Sequence, residues 1–332
     1  MSFKRFEKFL VKNNIEFKKN EEMKNHTSIR IGGRVKIFVE ARSIKDLIKI
    51  KNEANKQKLK LFVLGNGTNL VFSDKLTKMV VLKLNFKKMI KKDNTVIVGS
   101  GVGLFEANIF AVKNSLSGLE WSYGIPGSVG GALFMNAGSF GGEMKDVVLS
   151  AKVLDENNEI KTLSNAEMEF GYRKSIFQKN KYIILEVVLN LFYGEEKEIL
   201  RKCLENLEKR KQNQPYDKFS AGSVFKKVNN IPAWRIIESV GFRGYKVGGA
   251  MISRKHCGFI VNVQSAKFYD VLKIIYEIKK TVYKKFAIIL EEEIQFVGDI
   301  NGHFRRLSHT YDLQQKKMVS KKACKRNTWR QC

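Results

Sequence analysis

No run of apolar residues comes near the roughly 20 needed to cross a bilayer. The longest, Tyr182 to Phe192, is interrupted by Glu186 and Asn190 and reads as a buried strand. The N-terminal residues 1–14 lack the continuous apolar segment of a secretory signal. Phe3, Phe6, Phe9 and Leu10 are instead mixed with Lys4, Arg5, Lys8 and Lys12, as in an amphipathic helix docked on the body. These absences predict a cytoplasmic protein without membrane insertion. Cysteine is sparse: Cys203, Cys257, Cys324 and Cys332 show no C-x-x-C spacing. His26, His256, His303 and His309 do not cluster with them or with one another, so neither a metal site nor a disulfide is expected. Acidic residues are also in the minority, 33 against 61 Lys and Arg, for a net charge of +28. Such an excess can mark a nucleic-acid binder. No zinc finger, helix-turn-helix or aromatic-basic signature accompanies it, and no nucleic-acid partner is expected. No obligate protein partner is evident either. A basic body suits anionic small molecules such as dinucleotides and sugar nucleotides.

What is present is core material and glycine. Hydrophobic residues make up 43% of 332 and aromatics 11%, which excludes wholesale disorder and suits two or three domains. Prolines number three and glycines 25, the latter gathered at 32–33, 65–67, 99–103 and 118–142. Between them Val35–Glu40, Leu61–Leu64, Met79–Leu84 and Thr95–Val98 read as strands. Ser43 to Lys56 reads as a helix with Ser43 and Asp46 forming a capping-box-like start. Glu195 to Asn213 is charged and helical, and Pro215 and Tyr216 break it. Further on, Ala233–Val240 and Ser265–Phe286 read as helices. Phe259–Val263 and Ile288–Val297 read as strands.

Two segments point to chemistry. Val63-Leu-Gly-Asn-Gly-Thr-Asn-Leu70 follows a strand, and successive backbone N–H groups in such a turn form a concavity for a diphosphate. Neither this segment nor Gly99-Ser-Gly-Val-Gly-Leu104 fits G-x-G-x-x-G, so a dinucleotide Rossmann fold is disfavoured. The stretch from Gly124 to Gly142 holds seven glycines and Pro126 in nineteen residues, interleaved with Ile125, Val129, Leu133, Phe134 and Met135. Small residues let backbone approach a ligand closely, and the interleaved apolar residues are unlike a polar linker.

Together these segments resemble the FAD-binding domain of the vanillyl-alcohol-oxidase (PCMH) type. The chain is similar, more specifically, to the UDP-N-acetylenolpyruvoylglucosamine reductase family. The same order of motifs continues in His26-Thr-Ser-Ile-Arg-Ile-Gly-Gly33, Gly171-Tyr-Arg-Lys-Ser175, Ala221-Gly-Ser-Val-Phe-Lys226, Lys246-Val-Gly-Gly-Ala250, His256 to Asn262 and Leu290-Glu-Glu-Glu-Ile294. The resemblance covers about residues 20–299. It implies an α+β fold: a PCMH-type FAD-binding domain in two subdomains, plus a C-terminal α+β substrate-binding domain. It implies NADPH-dependent reduction of a UDP-sugar enolpyruvyl ether in peptidoglycan precursor synthesis. FAD would be held by Gly65, Asn66, Gly67, Thr68 and Asn69, and by Ile125, Pro126, Gly127, Ser128, Gly130, Gly131, Asn136, Ala137 and Gly138. A bulky side chain at Gly67 is expected to block backbone approach to the cofactor. No His or Cys lies in 63–72 or 95–105, which favours non-covalent flavin.

By the same resemblance Arg173 matches the arginine on the substrate carboxylate, Ser223 the proton donor and Glu293 the catalytic glutamate. Tyr172, Lys226 and Lys246 are expected at the substrate. The domain plan is an N-terminal helix over 1–19, an FAD-binding domain over 20–195 with lobes at about 20–85 and 86–195, and a linker helix over 196–214. A substrate-binding domain over 215–299 and a basic tail over 300–332 complete it. The chain departs from the family at Val228-Asn229-Asn230, where a proline is common, and at Cys257-Gly258, where Ala-Asn is usual. The interval from Ser223 to Glu293 suits the compact variant, which lacks an extra tyrosine-bearing loop. The alternative within the same fold is another FAD oxidoreductase, a sugar or alcohol oxidase.

Overall fold

A computed structural model describes residues 2–298; the tail expected over 300–332 lies outside the described residues. The chain opens with α1 (Ser2–Lys12), β1 (Phe17–Glu22), β2 (Arg34–Ala41), α2 (Ile44–Lys56), β3 (Leu61–Leu64), β4 (Leu70–Phe72) and β5 (Thr77–Leu84). Four of these strands form a sheet in the order β1-β2-β5-β3, parallel except at the β1–β2 edge. Alternation along the strands sorts its two faces. Ile37, Val39, Val80 and Leu82 meet α1 and α2 through Phe6, Leu10, Leu47 and Ile50, whereas Phe38, Met79 and Val81 face Met23, Leu64 and Phe72. Ser43 caps α2, its hydroxyl accepting from the Asp46 N–H. β1 has no apolar period to betray it: Phe17-Lys-Lys-Asn-Glu-Glu22 is an exposed edge strand, held by its register on β2.

The second unit comprises β6 (Met89–Lys92), β7 (Thr95–Gly99), α3 (Leu104–Lys113), β8 (Leu116–Ser117), α4 (Val129–Phe134), β9 (Gly138–Ser139), β10 (Gly142–Glu143), α5 (Met144–Val147), β11 (Val148–Leu154), β12 (Ile160–Ser164), β13 (Ile183–Asn190) and β14 (Phe192–Tyr193). An antiparallel sheet in the order β12-β11-β13-β7-β6 carries α3 and α4 on one face over Val98, Ala107, Leu133, Val153 and Val187. Then α6 (Glu196–Asn213) lies on α3, burying Ile199 and Cys203 beside Val112 and Tyr123.

The last unit holds β15 (Phe219–Ser223), α7 (Ala233–Ser239), β16 (Lys246–Val247), β17 (Ala250–Ile252), β18 (Phe259–Asn262), α8 (Phe268–Phe286) and β19 (Gln295–Val297). The antiparallel sheet β15-β18-β17-β16 packs under α7 and α8. The long helix begins three residues later than its sequence pattern predicts. Asp270 accepts from the Lys267 N–H, and Ser265 takes a left-handed φ of 47° outside the helix. The final strand is also short, three residues, because it pairs in parallel with β4 of the first unit, in a two-stranded sheet of their own, rather than with the strands of the last unit. That return ties the last unit to the first beside one cleft.

Candidate active site

The cleft is a cavity of about 1220 Å³ bordered by all three sheets, larger than the roughly 300–1,000 Å³ that suffices for one small ligand. Its walls include Gly65–Asn69, Ile125–Ser128, Gly130, Gly131, Ala137 and Gly138, together with Arg173, Ser223 and Glu293. Gly65 and Ser128 bring the two glycine-rich turns face to face: a Cβ on Gly65 would lie 2.8 Å from the Ser128 hydroxyl. Ser128 caps α4 by accepting from the Gly131 N–H, which exposes small residues to the cavity at the start of that helix.

The glycines have two different tasks. Gly67 has φ +65°, and a Cβ there would come within 1.9 Å of the His26 carbonyl oxygen. Its smallness is needed by the chain itself: Ser28 N–H donates to Gly67 O, so the His26–Gly33 segment clamps the turn from behind. The expected effect of a bulky residue at Gly67 is therefore distortion of the loop before any obstruction of a ligand. Gly127 is the opposite case. A Cβ there meets only Thr68 Oγ1, at 3.9 Å, so the missing side chain leaves space in the cavity. Such a cradle, open to backbone approach, fits a large planar cofactor with a diphosphate. A second observation agrees. Two buried polar side-chain atoms among the described residues lack a hydrogen-bond partner, Ser100 Oγ and Arg210 Nε, and both residues line this cavity. Neither was singled out by the sequence motifs.

Arg173, Ser223 and Glu293 converge from separate elements. Gly171 and Lys174 close a tight turn by exchanging backbone hydrogen bonds. At its tip Arg173 takes φ +54°, a left-handed conformation that costs a non-glycine residue of order 1 kcal/mol or more and concentrates at functional sites. Its Nε donates to Glu293 Oε1 at 2.7 Å and its Nη2 to Gly138 O at 2.7 Å. Asn136 holds this turn. Its side chain is spent on Gly171 O and the Lys145 N–H, and it does not border the cavity. Asn69 is similarly engaged, donating to Glu293 O while its own carbonyl accepts from Gln295 N–H. The turn expected to hold a diphosphate is thus bonded directly to the segment bearing the carboxylate, just before β19.

Glu293 N–H donates to Val224 O, which seats the glutamate beside Ser223. A positive-φ Gly222 precedes that serine at the end of β15. The three acids in Glu291–Glu293 each meet a different cation. Glu291 pairs with Lys226 at 2.5 Å, Glu292 with Lys279 at 2.9 Å, and Glu293 with Arg173. Burial pushes the Glu293 carboxyl above the ordinary glutamate range, against the opposing pull of Arg173 and Lys226.

The other substrate candidates lie at the margin. Tyr172 is exposed, with the Arg173 guanidinium 5.0 Å and Lys227 Nζ 4.6 Å from its ring centroid. Lys226 is committed to Glu291. Lys246 is exposed on the edge strand β16 and borders no part of the cavity. At the departure near Val228, Asn229 and Asn230 both take positive φ between the Val228–Ile231 pair. Two left-handed residues make the turn that Asn tolerates and proline could not. At the second departure, Gly258 N–H donates to His256 Nδ1, and a Cβ would collide with that ring at 2.8 Å.

Among the described residues, no helix is long and apolar enough to cross a membrane. Comparison with known proteins agrees with this layout. Residues 35–164 match the family described as FAD binding domain, and residues 214–297 match UDP-N-acetylenolpyruvoylglucosamine reductase, C-terminal domain. A UDP-N-acetylenolpyruvoylglucosamine reductase of Caldanaerobacter subterraneus subsp. tengcongensis is 45% identical over 282 residues, 84% of this chain and 93% of the relative. That of Clostridium tetani is 42% identical over 283 residues, 85% and 92% of the respective chains. The crystal structure of the Thermus caldophilus reductase aligns with a TM-score of 0.72 at 33% identity, over 85% of this chain and 98% of that one.

Proposed function

The chain belongs to the UDP-N-acetylenolpyruvoylglucosamine reductase family, and from that premise we propose that Arg173, Ser223 and Glu293 are the residues that assist the FAD- and NADPH-dependent reduction of the enolpyruvyl ether of UDP-N-acetylglucosamine to UDP-N-acetylmuramate. The chain is an FAD-dependent oxidoreductase of peptidoglycan precursor synthesis. NADPH is the electron donor in this reading, and the cytoplasm, where NADPH and UDP-sugars are made, is the place of work. The observation that carries the residue assignment is the Arg173–Glu293 contact of 2.7 Å, made across 120 residues of sequence at the wall of the cavity and beside Ser223.

The two glycine-rich turns, Gly65–Asn69 and Ile125–Ser128, would hold FAD, which when bound would supply hydride chemistry. The protein's residues manage the charge and the proton. When hydride reaches the methylene carbon of an enol ether, negative charge grows on the neighbouring carbon and spreads into the attached carboxylate. A fixed guanidinium stabilises that charge more than it stabilises the starting olefin, which is what accelerates the step. Arg173 is prepared for this by Gly138 O and Glu293, which leave it little freedom to reorganise. The final proton must reach the carbon bearing the ether oxygen, and the Ser223 hydroxyl donates it. Glu293 orients Arg173, and its raised affinity for a proton suits a group facing a second carboxylate.

Purification tests the reading at its root. The protein is expected to be yellow, with bound FAD released on denaturation, and to oxidise NADPH only when the enolpyruvyl sugar nucleotide is present. A colourless protein that takes up no added FAD, or NADPH oxidation indifferent to that substrate, would overturn it.

A further inference from the structure

Arg210 is a buried cation without an anion. It sits in the last turn of α6 and is 7% exposed. No carboxylate among the described residues lies within 4 Å of its guanidinium. Its polar contacts are to neutral groups and are long: Ser139 Oγ at 3.2 Å, Gln214 Oε1 at 3.4 Å and Trp121 O at 3.5 Å. The Phe140 ring lies 5.0 Å away, and Nε is unbonded. Desolvation disfavours the charge, and Tyr216, not a carboxylate, is what opposes it. A buried charge is ordinarily paired, so the missing partner is to be sought in the cavity that Arg210 borders.

Position narrows the choice. Arg173 is anchored on Gly138 O and Arg210 on the adjacent Ser139. The two guanidinium groups therefore flank one short segment, with Arg173 balanced by Glu293 and Arg210 unbalanced. Trp121, Ser139 and Phe140, which surround Arg210, all fall within the part of the chain matching the FAD binding domain. A cation nine-tenths buried among them suits a ligand that stays through every turnover better than a substrate that comes and goes. An oxidised flavin ring is neutral, and it acquires negative charge on two-electron reduction near neutral pH. A fixed positive charge beside it favours the reduced state.

We propose that Arg210 is the cation that stabilises the reduced flavin and thereby sets how readily the bound cofactor accepts electrons. The inference rests on the FAD reading above. In holoenzymes carrying Arg210→Met and Arg210→Lys, the two-electron midpoint potential is measured against a reference dye. The affinity for sulfite, which adds to flavins as an anion, is measured by bleaching of the visible band. Arg210→Met should weaken sulfite binding about tenfold or more and lower the potential by about 30 mV for each tenfold. Arg210→Lys should recover most of both. Arg210→Gln serves if the methionine variant fails to hold flavin. Potentials and sulfite affinities equal to the unaltered protein's in the charge-removing variants would overturn the proposal. An unchanged potential with a raised KM for the sugar nucleotide would do so too, giving Arg210 to the substrate. Absence of flavin from the unaltered protein would instead sink the FAD reading itself.

Discussion

The carboxyl of Glu293 lies where charge is disfavoured, and this has a pH signature. Burial is the largest influence on it and raises its proton affinity, with Arg173 and then Lys226 opposing. A carboxyl whose affinity is higher folded than unfolded contributes stability that is fully present below the unfolded value. That contribution is lost as pH rises through the folded one. The window therefore opens at the ordinary glutamate value of about 4.5 and extends upward. Glu293→Gln keeps the shape and an acceptor for Arg173 but removes the titration. The melting temperature of the unaltered protein should fall relative to that of the glutamine variant as pH is raised from 4 toward 8, whatever constant offset separates them. Parallel melting curves across that range would show that Glu293 does not titrate as described. At this scale the sequence motifs lead to Arg173, Ser223 and Glu293, because their neighbours carry the resemblance. They do not lead to Arg210. Glu208-Lys-Arg-Lys211 reads as one more solvated face of a charged helix, and only the fold turns that face inward.

The elements were legible where pattern and packing agree. α2 has its cap and apolar face, β3 its bounds, and β5 its run of buried residues. They were less so where long-range pairing decides. β19 is three residues long because β4 is its partner, and residues 288–294, apolar enough to read as a strand, serve instead to present three acids to three cations. The glycine-rich turns show the same division. Composition marks them as cradles but cannot say which glycine is missing a side chain for the ligand's sake. Geometry separates Gly67, pinned by His26, from Gly127, which faces open cavity. Gly127→Val should therefore leave the melting temperature of the flavin-free protein close to that of the unaltered chain. FAD binding should weaken roughly tenfold or more, a misfit on the order of 1.4 kcal/mol. Gly67→Ala should instead lower the stability of the flavin-free protein, since its Cβ has nowhere to go. Fluorescence titration with FAD and thermal denaturation of both variants read these two outcomes separately. Equal flavin affinity in Gly127→Val and the unaltered protein would remove Gly127 from the cofactor wall.

The whole molecule makes the reaction divisible. Arg173 and the glycine-rich turns belong to the first two units, whereas Ser223 and Glu293 arrive with the third. The two groups of residues are joined by Asn69 to Glu293 and by β4 to β19. The cofactor cradle is thus built almost wholly without Ser223, and reduction of flavin by NADPH needs no acid from the third unit. Protonation of the product carbon does. Ser223→Ala removes one hydroxyl from the end of β15, and no hydrogen bond of that hydroxyl to the described residues is lost with it. The variant should fold, bind FAD and be reduced by NADPH at nearly the ordinary rate. Reoxidation by the enolpyruvyl sugar nucleotide should slow by the 10²–10⁴-fold or so typical of a lost general acid. Ser223→Cys should recover part of that loss, because a thiol can also donate a proton. Stopped-flow absorbance of the flavin resolves the two halves directly. A Ser223→Ala enzyme slow with NADPH and normal with the sugar nucleotide would place Ser223 at the nicotinamide and leave the proton donor to be found elsewhere in the cleft.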